Sequence, residues 1–180
     1  MTAGCAPIER HAQFADALIS QARAPDITEE EDIYAKLLGV WDVRVVDRTD
    51  DGAPLEGSGE WLFERTLEGR AVQDVWISPP RPRTAPFAGP NRYGTSIRTF
   101  DPATRHWRVV WLNPVSGAFD VLMARTEAGA IIQEGVRPDG QPIRWSFLEI
   151  TEEAFHWVGE AQQGDGKWIV EAEFFGRRRR

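Results

Sequence analysis

From Gly39 onward the chain alternates apolar and polar residues with a period of two. Trp41, Val43 and Val45 alternate with Asp42 and Arg44; Trp61 and Phe63 sit between Glu60, Leu62 and Glu64; Trp107, Val109 and Trp111 interleave with His106, Arg108 and Val110. Near the C-terminus Trp168, Val170, Ala172 and Phe174 alternate with Ile169, Glu171, Glu173 and Phe175. This is the pattern of strands with one wet and one buried face. Turn-forming residues separate the runs, among them Asp50-Asp51-Gly52, Glu68-Gly69, Asp101-Pro102, Ala128-Gly129, Asp139-Gly140 and Gly164-Asp165-Gly166. The pattern predicts ten strands, near 40–48, 57–66, 70–78, 93–100, 105–112, 117–125, 130–136, 142–150, 154–162 and 167–176. From the fourth strand on, successive strands start about a dozen residues apart, too close for a crossover helix, so neighbours must pair antiparallel. The expected fold class is therefore all-β, an antiparallel up-and-down meander. Closure into a barrel removes two exposed edges, and is favoured over a sandwich for that reason.

The first 38 residues show a different period. Ile8, Ala12, Ala15, Leu18, Ile19 and Ala22 recur at helical spacing over 8–23, and Pro25 ends the run. Thr28-Glu29-Glu30-Glu31 reads as a capping box, followed by Ile33, Tyr34, Leu37 and Leu38 on one face and Gly39 as a C-terminal cap. Two short N-terminal helices packing on the barrel are expected. The domain reading is thus a helical segment at 1–38, a barrel at 39–176 and a basic tail at 177–180.

At 180 residues with one cysteine, the chain is long enough for a hydrophobic core, and it cannot form an internal disulfide. No Cys/His cluster has zinc-ligand spacing, no Gly-x-Ser-x-Gly elbow occurs, and no glycine-rich phosphate loop is present. His11, His106 and His156 are scattered. No metal and no cofactor is called for. A net charge of −7 argues against a nucleic-acid partner despite Arg177 to Arg180. No apolar run approaches the roughly 20 residues of a membrane span, and only Met1 precedes the lipobox-like Thr2-Ala3-Gly4-Cys5. A cytoplasmic protein without a membrane or nucleic-acid partner is the expectation, with a homodimer left open.

The eight tryptophans against two tyrosines carry the functional reading, because all fall in predicted strands. Trp41, Trp61 and Trp168 read as core, and Trp76, Trp107, Trp111, Trp145 and Trp157 as core or pocket wall. Strand parity puts Asp74 with Trp76 and puts Ser96 and Arg98 with Phe100; Asp74 and Arg98 then form a structural pair or anchor a polar ligand group. Gln133 or Glu134 enters the cavity, depending on register. His156 faces away from Phe155 and Trp157. The stretch 79–92, with five of the twelve prolines and three arginines, reads as a lid with Phe87 pointing inward, or as an ordered surface loop.

Leu37-Leu38-Gly39-Val40-Trp41, a Gly-x-Trp opening the first strand after a short helix, resembles the calycin superfamily, which includes the lipocalins. The resemblance implies that Trp41 plugs one barrel end beneath an arginine from the end of the barrel, for which Arg177 is the candidate. The segments Gly57-Ser58-Gly59-Glu60-Trp61, Tyr93 to Asp101 and Trp107-Arg108-Val109-Val110-Trp111 are similar to the lipocalin-like barrels grouped as domain of unknown function 1579. Ten-stranded haem barrels of the nitrobindin type are matched neither by Trp41-Asp42-Val43-Arg44 nor by an outward His156. The expected function is binding of a small, largely apolar or aromatic ligand by Trp76, Asp74, Arg98, Trp107, Trp111, Trp157 and Phe87. An isomerase, cyclase or hydrolase using Asp74, Glu134 or His156 in the same cavity, and a filled barrel acting as an interaction module, remain alternatives.

Overall fold

The computed structural model describes residues 7–49, 51–81 and 92–180. One α-helix, α1 (Pro7–Leu18), and a 3-10 turn (Ala35–Leu37) precede ten strands. These are β1 (Gly39–Arg48), β2 (Pro54–Thr66), β3 (Ala71–Ser78), β4 (Arg92–Asp101), β5 (His106–Asn113), β6 (Ala118–Glu127), β7 (Ala130–Val136), β8 (Pro142–Leu148), β9 (Ala154–Gln162) and β10 (Trp168–Arg178). All pair antiparallel with their chain neighbours, and β1 pairs with β10 to close the barrel. The alternation does what the sequence demands of it. Trp41, Val43, Val45, Trp61, Phe63, Trp107 and Val109 are buried inside, while Asp42, Arg44, Glu64 and Arg108 face solvent.

Because the strands alternate in direction, the barrel ends differ. The end where β1 starts is closed by an aromatic plug. Trp41 packs edge-on to Phe155 at 4.8 Å and donates from Nε1 to Leu37 O at 2.7 Å. Arg178 stacks over the Trp41 ring at 4.2 Å and donates to the carbonyls of Lys36, Leu38 and Glu152. Gly39 is required here, since its φ is +117° and a Cβ would lie 2.6 Å from Arg178 Nη1.

The arginine of the plug is therefore Arg178, where the resemblance pointed to Arg177. Phe174, Gly176 and Arg178 share the inward face, and Arg177, one residue off, is exposed. A register shift between Val170 and Ala172 in β10 also reverses the parity before it. Trp168 consequently lies on the outer face, where Arg144, paired with Glu160, stacks on it at 4.4 Å, and is not a core residue. The last arginines are bound as well: Arg179 N donates to Val40 O, and its guanidinium pairs with Asp42 and Glu60.

The N-terminal segment departs furthest from its pattern. α1 stops at Leu18, before the expected end; Ala12, Ile19 and Ala22 of the expected stripe are exposed, and Phe14 beside it is 70% exposed. The chain then runs along β2, with Ser20 N donating to Arg65 O and Ile19 bridging Thr66. The capping box forms: Thr28 N donates to Glu31 Oε2 (2.9 Å) and Glu31 N to Thr28 Oγ1 (3.3 Å). No second α-helix follows it. Arg65 clamps Asp32 at 3.0 and 2.6 Å, and Trp107 Nε1 takes Glu31 O at 2.6 Å. Tyr34 and Leu37, three apart, are both fully buried under the barrel end, a spacing that a 3-10 turn aligns.

Candidate functional site

Above the plug, the open half of the barrel holds a cavity of about 400 Å³. Its walls are aromatic: Trp61, Trp76, Trp111, Trp145, Trp157 and Phe174 all line it. Trp157 and Phe174 stack at 4.3 Å with their planes 8° apart, and Trp76 meets Phe174 at 5.1 Å. Inward glycines let the rings lie against the wall. A Cβ at Gly94 would come within 2.6 Å of Trp111 Cη2, and one at Gly159 within 2.5 Å of Trp157 Cη2.

Beneath the walls lies a buried polar network. Arg98 Nη1 stands 2.6 Å from Asp74 Oδ2, with both side chains at most 2% exposed. Asp74 Oδ1 accepts the Ser96 N–H at 2.9 Å. The guanidinium lies 5.1 Å from the Tyr34 ring and 5.3 Å from that of Phe63. Burial holds the Tyr34 hydroxyl well above its usual pKa, against the pull of Arg98, so it stays protonated and donates to Gln133 Oε1 at 3.0 Å. Trp61 Nε1, Trp76 Nε1, Arg98 Nε and Gln133 Nε2 have no hydrogen-bond partner among the described residues. All four are buried donors on cavity-lining residues, and each costs on the order of 1–3 kcal/mol unsatisfied.

The mouth is charged. Arg92 is clamped by Asp47, and Arg137 holds Glu171 in a bidentate pair at 3.0 and 2.6 Å and Gln141 Oε1 at 2.7 Å. Asp120, 8% exposed, lines the cavity next to them without an ion pair among the described residues. Burial raises its pKa, Arg137 opposes the shift, and Glu171 and Asp139 add to it. The folded state thus binds this proton more tightly than the unfolded chain, and stability falls as pH rises from the ordinary carboxyl value, about 3.9, through the raised one. Asp120→Asn is expected to melt above the parent at pH 8 and to converge with it on the acid side. Coincident melting curves at pH 8 would count against the buried carboxylate.

Of the residues singled out in the sequence, Trp76, Arg98, Trp111 and Trp157 line the cavity, and Asp74 lies behind Arg98 as its partner. Trp107 does not line it. Two pleat repeats below Trp111, it sits at the closed end against Tyr34 (5.2 Å) and Phe100 (5.6 Å), where its N–H is taken by Glu31 O. Phe87 and the rest of 82–91 lie outside the described residues, as does Cys5. Gln133 enters the interior, whereas Glu134 faces outward and pairs with Arg125 at 2.6 Å. His156 stacks on Phe175 at 4.4 Å and meets Glu173 at 3.1 Å on the outer face. Neither Glu134 nor His156 can serve cavity chemistry. Sequence reasoning missed Asp120, Arg137 and Glu171. Asp120 shares the face of Leu122 and Ala124, a parity that was there to be read, but Glu171 sits at the register shift, where parity fails. No group of three or more metal-ligating side chains occurs among the described residues.

The chain is similar to Rv2717c from M. tuberculosis, at 15% identity and a TM-score of 0.57 over 88% of this chain and 100% of that one. It is also similar to the S-type phycobiliprotein lyase CPES from Guillardia theta, at 8% identity and a TM-score of 0.56 over 86% and 95% of the two chains. This is a lipocalin-like barrel. No protein-family model and no curated protein matches the chain, and identities this low speak for the fold alone. Among the described residues no helix is long and apolar enough to cross a membrane.

Proposed function

We propose that this lipocalin-like barrel binds a small, largely apolar or aromatic ligand in its open half. The observation that carries the reading is the cavity of about 400 Å³ with six aromatic walls, within the usual range for ligand sites. Four donors beside it without a partner among the described residues are a cost that packing alone gives no reason to keep. A filled barrel would have no such void. The Gly39–Trp41 motif and the segments noted above support kinship with the domain of unknown function 1579 barrels, and a cytoplasmic binding protein is the setting we infer. A homodimer would bury the outer apolar row of Val75, Leu112, Phe119, Val121 and Met123, all exposed. One structural neighbour is by name a lyase. The enzyme reading for this chain has lost Glu134 and His156 to the outer face, and Asp74 is held by Arg98.

The test uses 1-pyrenemethanol, a neutral planar probe that accepts energy from tryptophan. Saturable one-to-one energy transfer is expected. Trp111→Ala and Trp145→Ala should each weaken binding about three- to tenfold, the loss of one aromatic wall contact. Energy transfer that never saturates, or affinities untouched by both substitutions, would refute the cavity as the binding site.

A further inference from the structure

We infer that the cavity is built for an organic cation, a planar aromatic body carrying a protonated amine that docks against Asp120. The inference rests on the cavity being a ligand site and adds the charge of what it takes.

The charged groups lining the cavity are Arg92, Arg98, Arg137, Asp120 and Glu171. Each arginine already holds a carboxylate, although Arg98 keeps an N–H at Nε without a partner among the described residues. Arg98 is paired with Asp74, Arg92 with Asp47 through both terminal nitrogens, and Arg137 with Glu171 through both of its own. Glu171 is spent on Arg137. Asp120 is left over, a residue 8% exposed that lines the cavity, with no ion-pair partner among the described residues. Holding such a group without a partner is costly, and the cost is recovered when a cation arrives.

The aromatic walls favour the same sign. Arg137 acts most strongly on Asp120 among its charged neighbours and is opposed by Glu171 and Asp139. The cross-strand partner of Asp120 is Trp111, itself a cavity wall, and Trp76, Trp145 and Trp157 complete the enclosure. Indole faces attract cations and repel anions, so an ammonium beside Asp120 is favoured by carboxylate and rings together. An anionic group at the mouth would compete with Glu171 for Arg137 and lie beside Asp120, and the free donors of Trp61, Trp76, Arg98 and Gln133 lie on other cavity-lining residues.

Three probes with one body separate the cases: 1-pyrenemethylamine, 1-pyrenemethanol and 1-pyrenecarboxylate, titrated into the full chain at pH 7.5 with tryptophan-to-pyrene energy transfer as readout. The amine is expected to bind about tenfold tighter than the alcohol, and the carboxylate most weakly. In Asp120→Asn the advantage of the amine over the alcohol should vanish. Glu30→Gln, an exposed charge change far from the mouth, should alter neither and controls for the chain's net charge of −7. An amine no tighter than the alcohol, an advantage that persists in Asp120→Asn, or a preference for the carboxylate overturns the inference while leaving the cavity as a binding site. If none of the three binds saturably, the cavity reading itself fails and this inference with it.

Discussion

Asp74→Ala is expected to destabilise the protein by about 3–5 kcal/mol, the cost of stranding a buried charge. The variant leaves Arg98 almost fully buried, between the rings of Tyr34 and Phe63, with no carboxylate in reach. Ring faces soften the loss and do not replace a counter-ion at 2.6 Å. The Ser96 N–H also loses its acceptor. A double variant, Asp74→Ala with Arg98→Met, removes both charges and fills the space with an apolar chain of comparable length. It should recover a large part of the loss, because replacing a whole buried pair is often near neutral where breaking it is not. Urea denaturation of the two single variants and the double variant measures the coupling. Additive losses, or an Asp74→Ala cost below about 1 kcal/mol, would mean that the pair is hydrated and contributes little. Since Arg98 also lines the cavity, the double variant has a second use: if it folds but loses 1-pyrenemethanol, the pair orients ligand as well as holding the core.

That pair shows how much could be read from the chain and where reading stopped. Alternation alone put Asp74 with Trp76 and Arg98 with Phe100 on the inner face, and the structure joins them across β3 and β4. Period-two patterning works here because each strand has one dry face and a one-residue error would bury a charge. It located all ten strands to within a few residues. It separated Trp111 from Trp107 only by position along one strand, and depth in a barrel has no signature in alternation. It failed in β10 because the register shift before Ala172 inserts a residue that no periodicity announces. Trp168 was turned outward by that shift, and Glu171 was placed at the mouth. The second helix failed for another reason. The Thr28–Glu31 box is a sound local signal and forms, but Asp32, Tyr34 and Leu37 are each claimed by the barrel, and tertiary contacts outweigh one turn of propensity. Asp120 was passed over although it shares the inward parity of Leu122 and Ala124, because a lone carboxylate near a strand end reads as surface.

Trp41→Ala is the substitution expected to damage the fold most by packing, by about 3–5 kcal/mol. The ring is fully buried, meets Phe155 edge-on, and fastens the N-terminal segment through its bond to Leu37 O. Its loss opens the closed end of the barrel and leaves Arg178 without the face it covers. The companion variants decide the assignment of the plug. Arg178→Ala gives up the cation–π contact and leaves the carbonyls of Lys36, Leu38 and Glu152 without their shared donor; a cost of about 2 kcal/mol is expected. Arg178→Lys should recover little of it, since an ammonium cannot span three carbonyls while lying flat on an indole. Arg177→Ala, on the outer face, should stay within about 0.5 kcal/mol of the parent. Chemical denaturation of the four variants gives the ranking directly. If Arg177→Ala proves as costly as Arg178→Ala, β10 pairs with β1 one residue out of the register described, and every inward residue from Ala172 to Arg178 would have to be reassigned.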